Sequence, residues 1–444
     1  MEANYEKPTR GAHVLLIPYP LQGHINPILK FAKRLVFKGL KVTILIPSST
    51  PNQDSFKDNN NSSSIEFLRI VYGNDNPNDI DQDARFRRIK DAVSKSLTEL
   101  LEHYKENYDK LRPTPKMVIY DSLVPSVLDV VKQCGIEGAP FFTQSCVVNS
   151  VYYHVHKGSL NAPPNGSDLG SLLVLKSLLE VGDLPSLVSC PSQYPPAFLR
   201  LLFDQVINWM QNICNVKTIG PCIPSKYLDN RIPNDTDYGL SLFEPETDSC
   251  IQWLNARQSG SVIYVSMGSM ASLGDIEMEE MARALSKTNK YFLWVVRATE
   301  EDKLPLNFKQ ETSEKGLIVS WCPQLEVLAH PALGCFITHC GWNSTLEAIS
   351  LGVPMVAYPQ WTDQPTNAKC IMDLWKIGVK VRENDSGLVT REEIELCILD
   401  VMEGEKSKEI KSNAQKWKHL ANETMQDNGS SSKNIEEFVA KLKS

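Results

Sequence analysis

Residues 335–349 hold side chains and a backbone pattern suited to gripping an anion. They read Cys335-Phe336-Ile337-Thr338-His339, then Cys340-Gly341-Trp342, then Asn343-Ser344-Thr345 and Leu346-Glu347-Ala348-Ile349. The first run is apolar and continuous, as in a buried strand. Gly341 permits a tight turn, and Asn, Ser and Thr are residues that start helices. A helix entered from a strand presents unpaired N–H groups and the positive end of its dipole to one spot. A diphosphate fits that electrostatics. Glu347 lies three residues after Ser344, so both can share a helix face, and a carboxylate there suits ribose hydroxyls. The next apolar run, residues 353–358, ends at Pro359, with Asp363 and Gln364 just beyond. Ligands of open α/β sheets bind at that strand edge.

A second constellation lies in the first half. His24 follows the apolar run 13–17 and stands at the mouth of a helix marked by Ile28, Leu29, Ala32, Leu35 and Val36 and closed by Gly39. Asp121 ends another apolar run, 117–120. If both runs belong to one parallel sheet, both side chains reach its C-terminal edge and can meet. Histidine accepts protons near neutral pH, and a carboxylate behind it orients the ring and stabilises the imidazolium.

The elements that must position these residues follow from periodicity. In the first half, residues 41–46 and 139–143 read as further strands, and 48–64 as a Ser-, Asn- and Asp-rich loop. In the second half, strands are expected at 261–266, 291–297, 316–321, 335–339 and 353–358, with a helix from about Asp275. Strands alternating with helices give parallel sheets. Two such halves joined by Pro- and Asp-rich sequence, residues 220–249, point to two Rossmann-like domains.

Composition narrows the classes. A chain of 444 residues suggests roughly two to three domains. Its 42% hydrophobic and 22% charged content is ordinary for a globular protein, and a net charge of −7 without a basic stripe argues against nucleic acid as partner. Eleven cysteines without CxxC or zinc spacing are read as free, reduced thiols. The N-terminus lacks a continuous signal-peptide core, and no apolar run reaches about 18 residues, so a cytoplasmic protein without a transmembrane segment is expected. Asp79-Ile80-Asp81, Asp81-Gln82-Asp83 and Asp235-Thr236-Asp237 are read as solvated loop charge. His154 and His156 alone are too few for a metal site.

Residues 321–364, WCPQLEVLAHPALGCFITHCGWNSTLEAISLGVPMVAYPQWTDQ, resemble almost position for position the signature box of the plant secondary-product UDP-glycosyltransferases. Leu21-Gln22-Gly23-His24, Phe141-Phe142-Thr143-Gln144 and Asp363-Gln364-Pro365 extend the likeness over nearly the whole chain, closest to the branch that glucosylates steroids, triterpenoids, salicylate-like phenols and carboxylic acids. The resemblance implies an α/β GT-B fold, two facing Rossmann-like domains with parallel sheets. Expected boundaries are residues 1–220 for the acceptor domain, 221–249 for a linker, 250–425 for the UDP-sugar domain and 426–444 for a helix returning to the first domain. It implies that Trp321 stacks on uracil, with Cys322 offering backbone contacts and Gln324 nearby. Glu347 would hold the ribose, and His339, Asn343, Ser344 and Ser269 the phosphates. Trp342, Asp363, Gln364 and Thr143 would touch the sugar, with Gln364 resembling the glucose-associated variant. His24 and Asp121 match the family's catalytic pair. Gln144, Ser145, Asn149 and Tyr152 are candidates for an apolar acceptor cleft.

The expected reaction is inverting transfer of glucose from UDP-glucose to a hydroxyl or carboxyl of a small lipophilic acceptor. Steroids or triterpenoids come first, phenolic or carboxylic acids second. No cofactor, no metal and a monomer are expected. One departure stands out. By the family pattern roughly two dozen residues, a strand and a helix start, are missing near residues 202–206, an estimate conditional on the motif match. Loss of a strand exposes backbone groups, so a UDP-sugar-binding protein impaired in catalysis is the alternative. A Rossmann oxidoreductase ranks low, because no Gly-x-Gly-x-x-Gly follows the first strand.

Overall fold

The computed structural model describes residues 12–49, 65–73, 82–106, 113–165, 179–194, 216–240 and 243–444. The suspected deletion near residues 202–206 and the triplet Asp79-Ile80-Asp81 lie outside them. The chain divides into two compact units: Met1–Thr143, Ser192–Leu242 and Thr424–Ser444 form one, Gln144–Pro191 and Phe243–Glu423 the other.

The first unit is built on a parallel sheet of β1 (His13–Ile17), β2 (Lys41–Ser48), β3 (Ile65–Val71), β4 (Met117–Asp121) and β5 (Glu137–Phe141), in the order β3-β2-β1-β4-β5. Helices α1 (Gln22–Phe37), α2 (Gln82–Glu106) and α3 (Ser126–Gln133) connect the strands. Every residue of β1 and β4 is buried, as strands covered on both faces must be. Apolar residues of α1 (Ile25, Ile28, Leu29, Ala32, Leu35) share a core with β1, β2 and β4.

The second unit contains α4 (Cys146–His156) and a six-stranded sheet. Its strands are β6 (Val262–Ser266), β7 (Tyr291–Val295), β8 (Gly316–Val319), β9 (Leu333–Thr338), β10 (Met355–Ala357) and β11 (Gly378–Lys380). All pairs are parallel, in the order β11-β10-β9-β6-β7-β8. The helices used below are α5 (Asp275–Lys287), α6 (Gln324–Ala329), α7 (Trp342–Leu351), α8 (Gln364–Lys369), α9 (Arg391–Met402), α10 (Glu405–Met425) and α11 (Ser430–Lys443). Two apolar clusters cover the two faces of this sheet.

Strand order reverses once in each unit, between β1 and β4 and between β6 and β9. Crossovers leave such a switch point on opposite faces, which opens a crevice at the C-terminal strand ends. Both constellations singled out in the sequence fall at these crevices.

Three expectations need correction. Residues 221–240 are not a bare linker, because they pack within the first unit. Asp229 pairs with Arg34 at 2.9 Å, and Asp235 pairs with Lys30 at 2.5 Å and Lys33 at 2.9 Å. Asp235 of the Asp235-Thr236-Asp237 triplet is therefore not solvated charge. Its side chain is 3% exposed and that of Lys30 is 1% exposed. Despite burial, the two ammonium groups hold this carboxyl below its ordinary range. Finally, residues 144–191 group with the second unit rather than the first. Asp183 meets Lys369 at 3.3 Å and Lys380 at 3.2 Å, and its carbonyl accepts from Thr366 Oγ1 at 2.7 Å. α11 does return to the first unit, where Ile435, Val439 and Leu442 join the core beside α1.

Candidate active site

The first half-site forms where β1, β4 and β5 end side by side. Ile17 pairs with Tyr120, and Asp121 pairs with Phe141. α1 begins at Gln22, earlier than periodicity alone indicated, so His24 lies in its first turn. That turn brings His24 Nδ1 to 2.7 Å from Asp121 Oδ2. Asp121 is fully buried, the His24 side chain 18% exposed. The other carboxylate oxygen accepts from the Leu123 N–H at 2.9 Å. Thr143, two residues past β5, places Oγ1 3.2 Å from the same Nδ1. Tyr19 meets the imidazole edge-on, with centroids 5.7 Å apart. A buried carboxylate that accepts from Nδ1–H selects the tautomer whose lone pair is on Nε2. That nitrogen can take a proton.

The second half-site surrounds the switch between β6 and β9. His339 follows β9 and is buried, which pulls its pKa down to about 4 against the raising effect of the Ser266 carbonyl. It stays a neutral donor at physiological pH. Glycines make room for it: a Cβ at Gly268 would lie 2.5 Å from the ring, and one at Gly341 closer still. Gly268 also has φ +73°, a conformation glycine adopts without penalty. Ser269 is half-buried in the turn beside it. α7 opens at Trp342 behind Gly341, and no side chain caps it. A helix start without a side-chain cap is the local feature that the anion site expected from the sequence requires.

Gln324, the first residue of α6, is the hub of a network. Its Nε2 donates to Ser344 Oγ at 3.0 Å and to Glu347 Oε2 at 2.7 Å. Its Oε1 accepts from Tyr264 Oη at 2.9 Å. Tyr264 is buried in β6, stacks on Phe336 with centroids 4.8 Å apart, and has its hydroxyl 3.2 Å from Cys322 Sγ. Burial pushes both groups far above their ordinary pKa, so both stay neutral. The Trp321 ring lies 4.3 Å from Phe243 at 28°, a stack. The Trp342 indole lies 6.2 Å from that of Trp375, tilted at 35°.

Beyond β10, Asp363 Oδ2 accepts from Asn367 Nδ2 at 2.7 Å, and Oδ1 accepts from Thr362 Oγ1 at 3.0 Å. Asn367 Nδ2 also donates to the carbonyl of Cys340 at 3.0 Å. Cys340 has φ +65°. Asn367 thus ties the turn before α7 to the carboxylate before α8. Gln364 Oε1 accepts from the N–H groups of Gln360 and Trp361 at 2.8 and 3.0 Å, so its amide N–H2 is the end it can present.

Of the acceptor candidates, Ser145 caps α4 by accepting from the Val148 N–H at 3.3 Å, and Tyr152 is 2% exposed. Gln144 and Asn149 are half-buried. Tyr264, Asn367 and Phe243 escaped the sequence reading. The signal for Tyr264 was a phenol inside an otherwise apolar strand, whose buried hydroxyl needs a partner. For Asn367 it was the four-residue spacing from Asp363. Among the described residues no group of three or more His, Cys, Asp or Glu could hold a metal, and no helix is long and apolar enough to cross a membrane.

Two parallel α/β units, each with polar side chains gathered at its switch point, define the class as nucleotide-binding α/β proteins. Comparison with known proteins narrows it. The profile of the family described as UDP-glucoronosyl and UDP-glucosyl transferase matches residues 207–420. A mogroside I-E synthase of Siraitia grosvenorii is 46% identical, over 97% of this chain and 98% of that protein. UDP-glycosyltransferase 74E2 of Arabidopsis thaliana is 43% identical, over 97% and 99%. The crystal structure of Os79 from O. sativa in complex with UDP superposes with a TM-score of 0.87 at 36% identity, over 97% of this chain and all of that one. This chain belongs to the plant UDP-glycosyltransferases, enzymes of GT-B fold.

Proposed function

We propose that the chain transfers glucose from UDP-glucose to a hydroxyl of a small lipophilic acceptor, or to a carboxyl as second choice, with inversion at the anomeric carbon. The observation that carries the reading is the 2.7 Å contact between His24 Nδ1 and the buried Asp121 carboxylate. It leaves Nε2 as the base.

In the proposed step the acceptor O–H gives its proton to Nε2 while its oxygen attacks the anomeric carbon. The bond from that carbon to the β-phosphate oxygen breaks, and its electrons leave on UDP. One displacement turns an α-linked donor into a β-glucoside. Asp121 stabilises the imidazolium that forms. Charge growing on UDP meets preorganised donors: neutral His339, Ser344, Ser269 and the uncapped start of α7. Trp321 stacks on uracil through the face that Phe243 does not cover, with Cys322 and Gln324 beside the base. Glu347, fixed by Gln324, takes the ribose hydroxyls. Asn343 joins His339, Ser344 and Ser269 at the phosphates, while Asp363, Gln364 and the N–H of Trp342 orient the sugar, with Thr143 as a further sugar contact. The step as written uses no metal.

Steroids or triterpenoids rank first as acceptors. The support is a relative named a mogroside synthase and a structure of Os79 in complex with a trichothecene, 35% identical with a TM-score of 0.82. Gln144 and Asn149 are the side chains proposed to meet the acceptor, with Ser145 and Tyr152 behind them. A monomer in the cytoplasm is part of the proposal.

Incubation with UDP-glucose and a panel of steroids, triterpenoids and phenolics, read by mass spectrometry, tests the reading. A hexose added to one acceptor, with release of UDP, is the expected result. Binding of UDP-glucose without transfer to any acceptor would favour a protein impaired by the suspected deletion.

A further inference from the structure

A short segment before residue 190 grips the loop that carries Asp363 and Gln364. Thr362 has φ +54°, a left-handed conformation that a β-branched residue rarely adopts unless its surroundings enforce it. Here they do, at both ends of the residue. The Thr362 N–H donates to Ser186 Oγ at 2.6 Å, and the Thr362 carbonyl accepts from the Ser186 N–H at 2.8 Å. Four residues on, Thr366 Oγ1 donates to the Asp183 carbonyl at 2.7 Å. The Asp183 carboxylate meets Lys369 at the end of α8 and Lys380 at the end of β11. Residues 183–186 are thus pinned at four places to the elements on either side of Asp363. Thr362 adjoins Asp363, and its hydroxyl lies between two acceptors that share its proton, the Trp361 carbonyl at 2.8 Å and Asp363 Oδ1 at 3.0 Å.

We propose that Ser186 is a positioning residue for the donor sugar: by holding Thr362 left-handed it fixes the direction in which Asp363 and Gln364 leave the loop. The inference rests on the reading that these two residues contact the sugar. Ser186 itself touches Thr362, not the ligand. Its loss frees Thr362 to relax, and the carboxylate and amide turn away while the uracil and phosphate contacts of α6 and α7 stay in place. The serine therefore acts on the sugar's share of donor affinity and not on that of the nucleotide.

The test titrates the full-length chain with UDP and with UDP-2-fluoro-glucose by calorimetry and compares the two affinities. Ser186→Ala is expected to leave UDP binding within about twofold and to weaken UDP-2-fluoro-glucose by about three- to tenfold, the range for one lost hydrogen bond. Ser186→Thr keeps the hydroxyl and is expected to retain the wild-type ratio. In Ser186→Ala/Thr362→Gly the ratio is expected to recover in part, because glycine holds a positive φ without help. Should Ser186→Ala fail to fold, Asp183→Asn loosens the same strap at its other anchor and is expected to shift the ratio in the same direction. An unchanged ratio, or parallel loss of both ligands, overturns the proposal. A wild-type chain that binds neither ligand overturns the donor-site reading beneath it. Wild-type binding with no effect of the variants overturns only the role of Ser186.

Discussion

At His24 the tautomer is set by a carboxylate that water does not reach. His24→Ala should therefore lower kcat by about 10²- to 10⁴-fold, the usual contribution of a general base. UDP affinity should stay unchanged in calorimetry, because the residues proposed to hold the nucleotide lie in the other unit. Retained turnover would remove the base from the mechanism. Asp121→Asn keeps the shape but allows the wrong tautomer, and a loss of at least about 100-fold is expected in the same assay. His24, Asp121, His339, Ser344, Glu347, Asp363 and Gln364 could be singled out in the sequence because the chemistry proposed for them depends on residue type and on a place after a strand or in the helix that follows it. Tyr264, Asn367 and Ser186 were not. Tyr264 and Ser186 meet partners 60 and 176 residues away along the chain; Asn367 had its spacing from Asp363 as a signal, but its second partner, the Cys340 carbonyl 27 residues back, shows only in the fold. Tyr264→Phe is expected to release the Gln324 amide and weaken UDP binding by about three- to tenfold; equal affinity would show that Glu347 needs no such support.

The strands were readable as elements because burial on both faces leaves long apolar runs, and the expected bounds of β1 match the fold residue for residue. β3 was missed. Its sequence IEFLRIV carries two charges and only Ile70 is buried, so it lacks the apolar signature. β11, three residues long, is too short to have a period. The stretch 221–240 misled for another reason. Proline and aspartate mark loops by composition, and nothing local reveals that Asp235 will lie under two lysines of α1. Asp235→Asn strands the buried Lys30 ammonium without its counter-charge. A loss of about 3 kcal/mol in unfolding free energy is expected from urea titration. No change would mean that Lys30 sheds its proton or reaches water.

For the molecule as a whole, acid should weaken the fold before most carboxylates titrate. Burial holds both His13 and His339 neutral in the folded chain, with pKa about 4 against an ordinary 6.5. Between those limits the unfolded chain takes up protons that the folded chain refuses, so stability falls as pH drops from 6.5 towards 4 and is unaffected by these groups above 6.5. Each site accounts for up to about 3 kcal/mol across that window. Unfolding free energies measured at neutral and mildly acid pH should reveal the slope, and His13→Asn should flatten it. A flat wild-type profile would contradict burial of the two rings.

The first unit draws its core from both extremities of the chain: Val14 and Leu16 near the start, Ile435, Val439 and Leu442 at the close. A ribosome delivers these hundreds of residues apart. The second unit emerges whole before α11 does, so the first unit must wait, incompletely covered, until α11 has been made. Loss of the last turns of α11 would then cost the protein the unit it made first and spare the one made second.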